Sequence, residues 1–376
     1  MAEQTRNRRN VLKTIGAAGV AGLAGCSGGG DGGGSDGSDG SNDSTTTSSG
    51  GGAEAGVRAA FVYNAEVGDV GWTKAHDDGR QYVEDQFDWV ETASTEAVAP
   101  GDAAGVFERY AQDGYDVIFG CTFGFMDPMY NVAPDYPDTY FEHCSGYQTR
   151  ENMGRYYGRL YQSRYLTGVA AGLLTESNTL GYVGSFPIAE VIRQLNAFAL
   201  GAASVNSDVT MKVRWLNSWM DPPAATQAVN ALVDEGADVI NNHLSSAASV
   251  RTAAENDAWG FTYNTPMPDQ GGEYYGGSAV FDWGQYYAPT VESIYNDEWE
   301  SDAYWGGLPE EVVGVDIGDP VPDDVVSEVE SVQSSIVEGE TSVWAGSPFE
   351  GWSDSELFGD VGSYVDVVEG EVPSSD

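Results

Sequence analysis

From Arg58 onward, short runs of β-branched and aromatic residues alternate with stretches whose apolar positions recur at helical spacing. That is the pattern of βαβ units feeding a parallel sheet. Strand starts are predicted near Ala59, Val90, Val117 and Thr139, and again near Leu180, Met211, Asp238 and Gly260, with the same intervals in each set. The repeat is visible in the residues: Gly114-Tyr115-Asp116-Val117-Ile118 returns as Gly236-Ala237-Asp238-Val239-Ile240. In both copies a helix is expected to stop at the glycine and a strand to follow. The expected fold is therefore α/β, with two similar lobes, each a parallel sheet flanked by helices, and a cleft between them. One lobe is assigned to residues 57–175 with 265–305, the other to 176–264 with 306–376. Asp323 to Glu338 has helical periodicity, Trp344 to Trp352 reads as loop, and this C-terminal part should complete the second lobe and the hinge.

Ligands of open parallel sheets bind outside the carboxyl ends of the strands. The loops that should sit there are Asn64–Trp72, Thr122–Asp127, Cys144–Tyr147, Ser185–Glu190, Asn217–Asp221, His243–Ser246 and Asn264–Asp269. They carry the aromatics Trp72, Phe123, Phe125, Tyr147, Phe186 and Trp219, with Asn64, Glu190, Asp221 and Asn264 as polar company. Flat apolar faces with a few polar groups suit a flat, uncharged small molecule. Asp221, before Pro222-Pro223, is placed to cap a helix.

Composition narrows the chemistry. The chain has 59 acidic residues against 16 basic ones, a formal charge of −43, and its three lysines are Lys13, Lys74 and Lys212. Such a field repels a phosphate backbone, which excludes nucleic acid as partner. Apolar residues at 41% and aromatics at 12% exclude a disordered acidic chain. Acid everywhere with little lysine suits a surface hydrated in concentrated salt, so a halophilic source is expected. His76, His143 and His243 are too scattered for a metal site, and no cofactor is expected. A secreted hydrolase, such as a nucleoside hydrolase, is the alternative class. It would need an activated nucleophile, a metal cluster or two opposed carboxylates, and no Gly-x-Ser-x-Gly elbow is present.

Residues 1–25 read as an export signal: Arg8-Arg9 gives a twin-arginine pattern, followed by a short apolar run too brief to span a bilayer. Leu23-Ala24-Gly25-Cys26 is similar to a lipobox, which would leave Cys26 as the lipidated N-terminus on the outer face of the cell membrane. Residues 26–56, rich in Gly, Ser and Asp, form the expected tether. Cys121 and Cys144 each follow a strand-like run on neighbouring strands. Strands ~4.8 Å apart allow a disulfide, and two free buried thiols fit as well.

Several motifs in order resemble one family. Gly68-Asp69-Val70-Gly71-Trp72-Thr73, Phe123-Gly124-Phe125-Met126-Asp127-Pro128, Asn152-Met153-Gly154-Arg155-Tyr156-Tyr157-Gly158-Arg159, Phe186-Pro187-Ile188, Asn217-Ser218-Trp219-Met220-Asp221-Pro222 and Tyr304-Trp305-Gly306-Gly307 are similar to those of basic membrane protein (BMP) family lipoproteins. The resemblance implies a type I periplasmic-binding fold and the substrate-binding component of an ABC importer, working with permease and ATPase subunits. It implies a purine nucleobase or nucleoside as ligand, with Trp72 and Trp219 on either side of the base. Asn264 stands where relatives often carry an Asp that reads the base edge. That amide, and the lack of any lysine after Lys212 to serve the ribose, favour a nucleobase or another flat heterocycle over a nucleoside. A ligand-sensing lipoprotein that feeds a signalling receptor has the same sequence features.

The charge generates a first prediction. At molar salt the Debye length falls to roughly 3 Å and the self-repulsion of the acidic surface is screened. Denaturant unfolding midpoints are expected to rise markedly between low and multimolar KCl. Equal midpoints would contradict the halophilic assignment.

Overall fold

The computed structural model describes residues 56–373. The first half begins β1 (Val57–Val62), α1 (Trp72–Gln86), β2 (Val90–Thr95), α2 (Ala103–Gln112), β3 (Val117–Gly120), α3 (Met126–Val132), β4 (Tyr140–Cys144) and β5 (Met153–Gly158). It continues with α4 (Leu160–Leu174), β6 (Thr179–Gly184), α5 (Ala189–Val205), β7 (Thr210–Trp215), α6 (Pro222–Asp234), β8 (Val239–Asn242), α7 (Ala248–Glu255) and β9 (Trp259–Asn264). The last part adds α8 (Pro268–Gly271), β10 (Tyr275–Phe281), α9 (Gly284–Tyr295), β11 (Ala303–Gly306), β12 (Val313–Ile317), α10 (Asp323–Val337) and α11 (Asp354–Gly359). The eight expected strand starts lie within two residues of the observed ones. The expected helix over 323–338 is α10, and no helix forms over 344–352. The signal, the lipobox with Cys26 and most of the tether lie outside the described residues.

Two six-stranded sheets result, in the orders β11-β5-β4-β3-β1-β2 and β12-β10-β9-β8-β6-β7. All pairs are parallel except β10 with β12. The expected helix stops are real: after α2, Gly114 N–H donates to Ala111 and Tyr115 N–H to Tyr110. After α6, Gly236 N–H and Ala237 N–H donate to Val233 and Leu232 in the same pattern. Both glycines have positive φ, 76° and 97°, the left-handed conformation this helix ending requires.

The lobe boundaries differ from the expected ones. Helix α4, assigned by sequence to the first lobe, packs along α5 and beneath β10 and β12 of the second. Strand β10, assigned to the first lobe within 265–305, lies between β9 and β12 in the second sheet. The reason is that β5 leads directly into α4, so the crossing comes at residue 159 and not after the helix. The chain passes between sheets after β5, after β10 and after β11. These passages are bundled: a Cβ on Gly158 would lie 2.6 Å from both Phe281 and Val313.

The α4–α5 pair is held by backbone contact. A Cβ on Gly168 would meet the Phe198 carbonyl oxygen at 2.1 Å, and one on Gly201 the Tyr165 carbonyl oxygen at 2.0 Å. Neither neighbour is a flexible side chain, so Gly201→Ala must push the helices apart. Overpacking of this kind costs ~1–3 kcal/mol, and a drop of ~3 °C or more in Tm is expected. Gly105 in α2 has nothing within 4 Å of a built Cβ, so Gly105→Ala should hold or raise Tm. A melt in which Gly201→Ala matches wild type would show that the helices can slide apart freely.

Candidate functional site

The strand ends of the two sheets converge on a cavity of about 420 Å³, within the ~300–1,000 Å³ usual for small ligands. Trp72, Phe123, Trp219, Asn64 and Glu190 line it together with Tyr263. Helix α1 begins at Trp72 because Gly71, at φ 97°, turns the chain into it. The Gly71 N–H donates to Thr265 Oγ at 2.9 Å, a contact from the first lobe to the second. Val70 reaches the same side and packs on the small apolar cluster of Val250, Met267 and Tyr275. The lobes therefore touch along this edge, and the cleft is closed there.

Trp72 is half-buried, and its indole N–H donates to the Cys121 carbonyl at 2.7 Å. Its ring meets His76, Phe281 and Trp283 edge-on, at 4.5, 5.7 and 5.9 Å. Trp219, 42% exposed, lies on the opposite lobe, backed by Phe186 at 5.3 Å. Asp221 then caps α6, accepting from Ala224 N–H at 3.0 Å, as the sequence predicted. Phe123, 53% exposed, stands at the rim 6.3 Å from Tyr147.

The cavity has two carboxylates, Glu66, which is exposed, and Glu190, which stands at the first turn of α5. It accepts from the Tyr157 hydroxyl at 2.6 Å. Burial raises its pKa, opposed by that hydrogen bond and by Arg193. His243 Nε2 lies 3.8 Å away, but burial, reinforced by Arg164 and Arg193, lowers its pKa well below the ordinary value. The imidazole is thus neutral at pH 7 and gives Glu190 no counter-charge.

Three sequence expectations fall away from the cavity. Phe125 is fully buried and packs edge-on against Phe107 in the core of the first lobe. The 3₁₀ turn over 123–125 points the two phenylalanines in opposite directions. Asn264 is 1% exposed and does not line the cavity. It ends β9 with φ 73°, and both polar atoms of its side chain are buried without a partner. Its neighbour Tyr263 lines the cavity instead, since successive strand residues face opposite ways. That alternation was the signal available in the sequence. Phe186 supports Trp219 from behind and is not itself a lining residue. Cys121 and Cys144 are both buried, free thiols. The Cys121 thiol lies 3.7 Å from the Tyr287 hydroxyl and 3.8 Å from that of Tyr156, and burial pushes its pKa up to about 12, so it has partners other than Cys144.

Two α/β lobes joined by three passages and closing on an aromatic-lined cleft define a solute-binding protein of the periplasmic type. The model of the PnrA-like ABC transporter substrate-binding proteins matches residues 56–346, and the chain belongs to this family. It is 54% identical over 334 residues to a putative ABC transporter glucose-binding protein, TsgA13, of Haloferax volcanii, covering 88% of this chain and 85% of that one. It is 38% identical over 296 residues to a purine-binding protein of Brucella abortus, covering 78% and 85%. Among solved structures, an ABC transporter solute-binding protein from Conexibacter woesei superposes with a TM-score of 0.64 at 19% identity, covering 76% of this chain and 98% of that one. That likeness bears on the fold alone. Proteins of this family are solute-binding components and not enzymes. They are extracytoplasmic, bind small molecules and work with permease and ATPase components. Among the described residues, no helix is long and apolar enough to cross a membrane.

Proposed function

We propose that the chain delivers a flat heterocycle, a purine nucleobase or nucleoside, to an ABC importer, and that Cys26 carries a lipid that holds it to the outer face of the membrane. The observation that carries the ligand reading is the meeting of Trp72, Phe123 and Trp219, from both lobes, on one cavity with the half-buried carboxylate of Glu190. Aromatic faces from opposite sides bury both faces of a planar ring. Glu190 then accepts from ring N–H groups, the role that the sequence pattern had given to position 264. The name of the Brucella relative points the same way. A hexose is the second reading, favoured by the name of the Haloferax relative, because tryptophan faces also stack on the apolar side of a sugar ring.

Calorimetry with adenine, guanine, hypoxanthine, adenosine and glucose separates the two. Base stacking on an aromatic side chain is worth ~1–3 kcal/mol in single-stranded nucleic-acid complexes. On that scale Trp219→Ala should weaken purine binding by about 5- to 150-fold, and Trp72→Ala at least as much. Glu190→Gln should change the ranking among the purines, and Asn264→Ala should leave it unchanged. Heat only with glucose, or wild-type purine affinity in both tryptophan variants that still melt normally, would overturn the purine reading. For the anchor, Cys26→Ser should release mature-length protein from membranes into the medium. A variant that stays on the membrane would rule out the lipid at this position.

A further inference from the structure

A second compartment of about 1060 Å³ opens from the first. The two share Asn64, Phe123, Glu190 and Trp219, and the second continues to Arg155, Arg193, Trp305 and Phe358. Its far wall is α11 and Asp360, a segment that follows residue 346, where the family model stops. This wall is built by cations on rings. Arg155 lies 4.9 Å from the Phe358 centroid, and Arg193 lies 5.5 Å from Phe358 and 5.1 Å from Trp305. Arg193 Nη1 also donates to the Leu357 and Phe358 carbonyls, both at 2.7 Å, which ties α11 to α5.

The charge balance here runs against the rest of the chain. Arg159, stacked on the same Trp305 at 4.4 Å, takes both oxygens of Asp354 at 2.8 and 2.6 Å. That consumes the carboxylate of α11 nearest the stack. Of the other two carboxylates lining the compartment, Asp360 is exposed to solvent, and Glu190 accepts from Tyr157 and is within electrostatic reach of Arg193, as Asp302 is of Arg155. Arg155 and Arg193 form no salt bridge among the described residues, in a chain where acids outnumber bases 59 to 16. Three N–H groups of this wall, Arg155 Nη1, Arg193 Nε and Trp305 Nε1, are buried with no acceptor. Burial lowers the pKa of both guanidinium groups, so their charged forms gain from any acceptor that arrives. Unmet donors on guanidinium groups that have no ion pair favour an anion.

We propose that this compartment is an anion subsite, which receives a phosphate or carboxylate carried by the same ligand whose ring lies between Trp72 and Trp219. It rests on the ring site described above and extends it. The long-range field of the chain repels anions, and concentrated salt confines that repulsion to roughly 3 Å, so the two guanidinium groups act at contact. The α11 wall, outside the family model, makes the subsite a property of this chain and its like.

Calorimetry of the full chain in multimolar KCl tests this with matched pairs. Adenosine against adenosine monophosphate reads a phosphate, and uracil against orotate reads a carboxylate. At least one anionic member should bind about 10- to 100-fold more tightly than its neutral parent, the scale of charge-assisted hydrogen bonds. Arg155→Gln should bring that ratio to about one, and Trp305→Phe, which removes the indole donor and shrinks the ring under Arg159 and Arg193, should reduce it. If glucose and not a purine binds, the ring reading fails on its own, and the ratio is read from glucose against glucose 6-phosphate and glucuronate. Anionic members no tighter than their parents in wild type, or a ratio that survives Arg155→Gln in a variant that melts normally, would overturn the subsite.

Discussion

The hydrogen bond from the Trp72 indole to the Cys121 carbonyl fixes the cleft wall on which the rest of the site is built. It joins the first residue of α1 to the residue after β3, so the ring is set by two neighbouring strand ends together. Behind it, His76 stacks on Trp283 at 4.7 Å with planes 5° apart, and its Nδ1 meets the Tyr287 hydroxyl at 2.5 Å. Tyr287 in turn meets Tyr156 at 2.9 Å. Burial lowers the His76 pKa well below its ordinary value, so the stack contains a neutral ring and no buried charge to compensate. A polar chain of this kind inside an aromatic layer holds one arrangement and resists others. Phe281 and Trp283, which flank the second passage between lobes, touch Trp72 directly. The ligand wall and the hinge are thus one packed unit.

Four of the ten arginines among the described residues are drawn into the interior. Arg155, Arg159 and Arg193 stack on Trp305 and Phe358 where the lobes meet. Arg164, fully buried, lies 4.8 Å from the Tyr263 ring and donates to Asn241 Oδ1 and the Asn242 carbonyl, at 2.6 and 2.8 Å. A planar guanidinium can stack and donate at once, which an ammonium cannot do as well. Three of these guanidinium groups organise the wall between the lobes, and Arg164 does the same inside the second lobe.

The doubled α/β rhythm was legible because parallel strands leave continuous apolar runs and the two helix stops share a Gly-x-Asp pattern at 114 and 236. The loops that line the cavity were legible for the same reason, since strand order dictates which loops converge. What could not be read was direction. Phe123 and Phe125 look alike in the chain, and only the 3₁₀ turn separates the exposed ring from the buried one. The family resemblance marks Asn264, whereas its positive φ turns the strand end there and Tyr263 lines the cavity. The place of α4 depended on where a single residue, Arg159, lets the chain cross, and no periodicity records that. The wall at α11 was read as a plain C-terminal completion, because cation–ring stacking joins residues some 200 positions apart, as Arg155 and Phe358 show.

The position of α11 after the last strand has a consequence for how the site can vary. The strands of both sheets and all three passages precede it, although residues 367–369 beyond it still bond to Met211 of β7. A short helix tied to Arg193 and Arg159 can therefore change the side chains that face the second compartment, provided that residues 367–369 keep those bonds. Substitutions on α11 would in this way reshape the wall of the second compartment while the strands and the passages between the lobes stay as they are.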